Sequence, residues 1–175
     1  MSETRGPAMH AGAGTGFSAL PQRSGGGRRI AIVAARFNGE VVERLVDGAT
    51  EALAAAGVSD DDVEVVWVPG AFELPLAART AASSGRFDAV VALGAVIRGE
   101  TAHFDFVAGE AARGLQDAAL ETGVPVSFGV LTTDTVEQAM DRAGGAFGNK
   151  GPDAAMAALE MIGIVEGFRA RTIAD

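Results

Sequence analysis

The sequence predicts an α/β protein, a three-layer αβα arrangement in which a four-stranded parallel sheet is flanked by helices. Two patterns carry that reading. Short runs are apolar at nearly every position, as in strands buried on both faces, and the segments between them repeat apolar residues at helical spacing over about 10 to 18 residues, as crossover helices do. The first run is Ile30 to Ala35. Val41 to Ala56 then places Val42, Leu45, Val46, Ala49 and Leu53 on one helical face, and Gly57 ends it. Val63 to Val68 reads as a second strand and Leu74 to Ala82 as a second helix, closed by Ser83, Ser84 and Gly85. Ala89 to Ile97 is a third strand, followed by a helix from about Phe104 to Glu121 with Gly123 behind it. Val124 to Leu131 is the fourth strand, and Thr132, Thr133 and Asp134 offer caps to a short helix through Met140. Pro152, placed at a first helical position, opens the last helix, with Met156, Leu159, Ile162 and Val165 along one side. Right-handed crossovers align the carboxyl ends of all four strands along one edge.

Residues 1–28 hold Gly12, Gly14, Gly16 and Gly25 to Gly27 with Pro7 and Pro21 and show no apolar period, which is the composition of a flexible extension. Residues 29–175 then form one domain. The extension lacks the apolar stretch of about 7 to 15 residues that a secretory leader needs. No later run approaches the roughly 18 apolar residues of a membrane helix, so a cytoplasmic chain with no membrane partner is expected.

Composition narrows the chemistry. Among 175 residues, 23 acids outnumber 14 bases for a net charge of -9, and the bases are scattered, which argues against a nucleic-acid partner. The absence of cysteine removes disulfides, thiolate metal sites and cysteine nucleophiles together. Lys150 is the sole lysine, and of the two histidines His10 falls in the extension. Imidazole or amine chemistry in the domain therefore rests on His103 or Lys150.

Ligands of open α/β sheets bind beyond the carboxyl ends of the strands, so the four segments that follow the strands read as one candidate site. They are Arg36-Phe37-Asn38, Pro69-Gly70-Ala71-Phe72-Glu73, Arg98-Gly99-Glu100-Thr101-Ala102-His103 and Thr132-Thr133-Asp134. Each residue carries two readings. Thr101 caps the following helix, or it stands with Gly99 in an anion pocket at that helix's amino end. His103 is a capping or surface residue, or it moves protons near neutrality. Phe37 closes the end of the core, or it offers a face to a heteroaromatic ring. Glu73 suits the first turn of a helix by charge, or it grips sugar hydroxyls. Arg142 is solvated at the surface, or it pairs with a phosphate. A metal does not fit, since His103 has only carboxylates such as Asp105 nearby.

Two glycine-rich stretches mimic nucleotide motifs and fail. Gly144 to Gly151 has Asn149 before Lys150 and Gly151 after it, with no strand leading in, so it is no Walker loop and reads as a link between two helices. Gly12, Gly14 and Gly16 have neither a strand before nor a helix after, as a dinucleotide fingerprint requires.

Read together, Arg36-Phe37-Asn38, Val68 to Pro75, Gly94 to Asp105, Phe128 to Asp134 and Gly148 to Gly151 resemble the 6,7-dimethyl-8-ribityllumazine synthase family of riboflavin biosynthesis, over residues 30–166. The resemblance implies a flavodoxin-like lumazine synthase fold. It implies a transferase that condenses 5-amino-6-ribitylamino-uracil with 3,4-dihydroxy-2-butanone 4-phosphate, releasing phosphate and water, with neither metal nor organic cofactor. It also implies that Phe37 stacks on the pyrimidine, that Ala71, Phe72 and Glu73 hold the ribityl chain, and that Ala95, Val96 and Ile97 contact the ring through backbone. Glu100 and Thr101 fall at phosphate-pocket positions with Arg142 as paired cation, His103 matches the proton donor, Phe128 reaches in from a neighbouring subunit, and Lys150 belongs to the substrate-binding set. The implied assembly is a homo-oligomer, a pentamer or a sixty-subunit icosahedral shell.

Two positions depart from the family's pattern. Residues 11–28 show little of the N-terminal strand expected to join a neighbour's sheet, and Ala146 stands where many members have lysine. They motivate a second reading, a weakly active paralogue kept as a shell or as a flavin and lumazine binder.

Overall fold

The computed structural model describes residues 24–172. Most of the glycine-rich extension, His10 included, lies outside the described residues. The chain runs β1 (Ile30–Ala35), α1 (Gly39–Ala55), β2 (Val63–Val68), α2 (Leu74–Ser83), β3 (Ala89–Ile97), α3 (His103–Thr122), β4 (Val126–Thr133), α4 (Val136–Asp141), a small hairpin of β5 (Ala143–Gly145) and β6 (Gly148–Asn149), and α5 (Lys150–Thr172). The main sheet is parallel in the order β2-β1-β3-β4. The predicted α/β class, with four parallel strands between helices, is what the chain adopts.

Both faces of the central strands are covered, and residue alternation divides the core. Ile30, Ile32 and Ala34 of β1 point with Val91 and Leu93 toward α1 and α5, where they meet Leu45, Leu53, Ala155 and Leu159. Ala31, Val33 and Ala35 point the other way, with Val90 and Ala92, toward Leu74 and Ala78 of α2 and Leu115 of α3. A side chain such as Leu45 or Leu53, fully enclosed here, stabilises the fold by about 1.5 to 3 kcal/mol. Gly123 ends α3 in the left-handed conformation, φ 67°, and its N–H closes on Ala119 at 2.9 Å.

The glycine-rich link before α5 has a packing role. Asn149 Nδ2 donates to the Arg44 carbonyl at 2.7 Å and Asn149 Oδ1 accepts from Gly151 N–H at 2.8 Å, so one side chain joins the start of α5 to α1. A Cβ on Gly151 would collide with the backbone carbonyl of Leu45, and one on Gly48 would meet Pro152 Cδ at 2.9 Å. At the other end of the domain, Gly25 N–H reaches Ala56 O at 2.8 Å, and Arg28 forms a paired bond to Glu166 of α5 at 2.6 Å through each nitrogen.

Several boundaries differ from the sequence reading. β2 is not buried on both faces: Val65, Val66 and Trp67 keep 38%, 40% and 37% of their surface exposed, because β2 is an edge strand and the helices pack over the sheet's centre. β4 lies two residues later than its apolar run, since Val124 and Pro125 precede the ladder and the β-branched Thr132 and Thr133 extend it. Thr135, not Thr132 to Asp134, therefore caps α4, accepting from Gln138 N–H at 3.2 Å. α5 starts at Lys150, two residues ahead of Pro152.

Candidate active site

The sheet is notched at its carboxyl edge. Ala34 opposite Leu93 is the last β1 and β3 pairing, whereas β3 continues beside β4 to Ile97. Even-numbered residues of β3 bond toward β4, as Val90 N–H does to Pro125 O at 2.9 Å and Arg98 N–H to Thr133 O at 2.8 Å. By alternation the odd-numbered residues face the β1 side. Ala95 gives its carbonyl to Asn38 Nδ2 at 2.8 Å. Ile97, two residues on, turns its N–H and C=O toward the space β1 has left. A cavity of about 700 Å³ opens there.

Three loops wall it. After β1 the chain stays beside β2, Arg36 N–H bonding Val68 O at 2.8 Å and Phe37 N–H bonding Pro69 O at 3.1 Å. Asn38 then turns left-handed, φ 58°, a conformation asparagine tolerates, and starts α1. The turn leaves Phe37 71% exposed, so its ring lines the cavity and does not close the core. From the second loop, Ala71 is buried beneath exposed Phe72 and Glu73. Glu73 occupies the cap position of α2 without a side-chain cap bond, so capping does not engage its carboxylate. The third loop brings Gly99, Thr101 and His103, the last being the first residue of α3. Ala102 holds the cap position, and Thr101 Oγ1 accepts from His103 N–H only at 3.4 Å. Asp105 N–H turns back to Ala102 O at 3.0 Å, so the His103 amide, weakly held, and the Phe104 amide are the ones left available to an anion.

Phe37, Ala71, Phe72, Glu73, Ala95, Val96, Ile97, Thr101 and His103 thus share one cavity. Glu100 is exposed on the third loop but does not line it. The remaining candidates lie elsewhere on the chain. Phe128 of β4 and Lys150 line a cavity of about 300 Å³ between β4 and α5, where Lys150 Nζ pairs with Asp153 at 2.8 Å. Arg142, at the end of α4, donates to Gln138 O at 2.9 Å and stacks 4.9 Å from the centre of the Phe147 ring. Ala146 is exposed in the turn of the β5 and β6 hairpin.

Sequence reasoning missed Asn38 as the clamp on β3, and Phe104, Phe106 and Val107 as part of the wall. A signal for two of them was present: residues 103, 106 and 107 fall on one helical face, so Phe106 and Val107 flank whatever His103 faces. Asn38 gave no such signal, because its bond partner is a backbone carbonyl 57 residues away.

Fold and cavity together define a doubly wound α/β protein with aromatic rings, free strand backbone, a helix amino end and a histidine around one cavity at the carboxyl edge of its sheet. The family model for 6,7-dimethyl-8-ribityllumazine synthase matches residues 27–166. A protein of that name from Edwardsiella ictaluri (strain 93-146) is 58% identical over 156 residues, 89% of this chain and 97% of the relative. Another of the same name, from Gemmatimonas aurantiaca (strain DSM 14586 / JCM 11422 / NBRC 100505 / T-27), is 58% identical over 150 residues, 86% and 90% of the two chains. The chain belongs to the 6,7-dimethyl-8-ribityllumazine synthase family.

Proposed function

We infer that this chain condenses 5-amino-6-ribitylamino-uracil with 3,4-dihydroxy-2-butanone 4-phosphate to give 6,7-dimethyl-8-ribityllumazine in riboflavin biosynthesis. Family membership over most of its length supports the reaction. The observation that carries the assignment of residues is the single cavity that joins Phe37, the free edge of β3, the amino end of α3 and His103. No observation favours the alternative of a weakly active paralogue kept as a shell or as a flavin and lumazine binder.

In this reading the pyrimidine lies on Phe37, with its ring polar atoms toward the Ile97 backbone and its ribityl chain toward Phe72 and Glu73. The phosphate of the second substrate sits on Thr101 and the first-turn amides of α3. The 5-amino group attacks the ketone and expels water as an imine. Phosphate then leaves, the chain tautomerises, and the ribitylamino nitrogen closes the ring with loss of a second water. His103, next to the phosphate site, holds and returns the protons these steps exchange. Positioning supplies much of the rate, because two oriented reactants behave as one molecule with effective molarities of up to about 10⁵ to 10⁸ M.

Phe128, Lys150 and Arg142 complete the site from a neighbouring copy. That reading is supported by their place outside the cavity, and by apolar surface left open on one chain at Val65, Val66, Trp67 and Phe106. A pentamer, alone or within a sixty-subunit shell, would supply the neighbour, in the cytoplasm, with small-molecule substrates as the other partners.

Mixing the protein with both substrates and following lumazine fluorescence, with particle size measured by light scattering, tests the proposal. Product formation well above the uncatalysed rate by an assembled particle is expected; a folded, assembled protein giving only the background rate overturns it.

A further inference from the structure

Arg98 leaves β3 directly before the loop that forms the phosphate end of the cavity, yet it is not among the residues lining that cavity. Each of its three guanidinium nitrogens donates to a carboxylate. Nε donates to Asp134 Oδ1 at 3.0 Å, Nη1 and Nη2 both donate to Asp105 Oδ1 at 3.3 Å, and the plane lies 4.0 Å from the centre of the Phe104 ring. Asp105 is the third residue of α3. A carboxylate at this position can reach back toward the Ala102 N–H at the helix cap, beside the His103 and Phe104 amides on which the substrate phosphate is placed, and its charge is favoured there by the helix dipole. Asp105 instead points to Arg98. Asp134, at the end of β4, is held by the same cation.

We propose that Arg98 is a positioning residue for the phosphate-bearing substrate: it draws the carboxylates of Asp105 and Asp134 to itself, so that the amino end of α3 is left open and electrically receptive to phosphate. The contact with Phe104, immediately after His103, also fixes the level at which α3 begins. The inference rests on the phosphate placement proposed above. Its logic is competitive: without Arg98, Asp105 becomes the anion that occupies the helix end.

The test compares Michaelis constants in the assembled enzyme. Arg98→Met keeps the unbranched apolar stem of the side chain and removes its charge and fork. It is expected to raise KM for the butanone phosphate about fivefold, the scale of one anion at a helix end, while KM for the pyrimidine stays within about twofold. Adding Asp105→Asn to Arg98→Met removes the competitor and returns KM for the phosphate substrate most of the way to wild type. A merely structural role would move both constants together and would not be rescued. An unchanged KM for the phosphate substrate, a parallel rise in both constants, or failure of the rescue overturns the proposal. Should Arg98→Met fail to assemble, Asp105→Asn alone decides: KM for the phosphate substrate equal to or below wild type sustains the competition, and a higher one refutes it. Absence of turnover in the wild-type protein would instead refute the reaction itself.

Discussion

Replacing Phe37 by alanine separates a ligand-stacking ring from a core-closing one. The ring is 71% exposed, so only about a third of it is withdrawn from water in the free chain. Truncating a fully buried phenylalanine costs about 3 to 5 kcal/mol, and that fraction of it is about 1 kcal/mol. A ring that stacks on a heteroaromatic ligand contributes about 1 to 3 kcal/mol to binding, a loss of affinity of about 5- to 150-fold on truncation. Phe37→Ala is therefore expected to weaken pyrimidine binding, read by calorimetric titration, by about 5- to 150-fold, while lowering the unfolding free energy, read by chemical denaturation, by no more than about 1 kcal/mol. The reverse outcome, stability lost on the scale of a core truncation with affinity intact, would refute the reasoning, because it would place the ring inside the protein.

His103→Ala should slow condensation by about 10² to 10⁴, the range for a lost proton-transfer group, with pyrimidine affinity nearly unchanged; turnover and titration measured on one preparation check it. Gly151→Ala drives a methyl into the Leu45 carbonyl, a backbone atom that cannot swing aside, and should cost at least about 1 to 3 kcal/mol of stability. Gly167→Ala in the same helix meets nothing within 4 Å, so the identical change should gain up to about 1 kcal/mol, and denaturation midpoints moving the same way in both variants would contradict this account. The Arg28 bond holds the Glu166 carboxyl below its usual range, so the folded chain binds fewer protons there than the unfolded one. The pair's contribution, under about 1 kcal/mol for so exposed a contact, is complete above about pH 4.3 and is lost as pH falls further. The stability gap between wild type and Arg28→Ala should accordingly stay level from neutral pH to about pH 4.3 and narrow as pH falls further, and a gap constant in pH would show that the pair does not act through charge.

Much of the fold was legible because β1 and β3 are enclosed on both faces, which writes an unbroken apolar run into the sequence. The same rule misled at β2, where Val65 and Trp67 are apolar yet exposed, since a run of such residues does not say whether the cover comes from the same chain. β4 slipped by two residues because Pro125 can accept from Val90 but has no N–H to donate, so pairing begins at Val126, while Thr132 and Thr133 keep strand geometry with polar side chains. The candidate site was legible as loops that follow strands: three of the four, carrying Phe37, Glu73 and His103, share the cavity, and the fourth, Thr132 to Asp134, does not line it. The Asn38 clamp and the Arg98 knot were not legible. The first spans 57 residues and the second reaches Asp134, 36 residues on, through geometry that only the folded chain creates.

The cavity exists because two neighbouring strands stop at different heights. β1 has six residues and β3 has nine, and the binding floor is the difference between them. Each further residue of β1 would advance its end by about 3.3 Å across that floor, filling the notch from beneath while the surrounding rings stayed in place. The depth of the cavity is thus set by where one strand ends, while the rings of the three loops set its width.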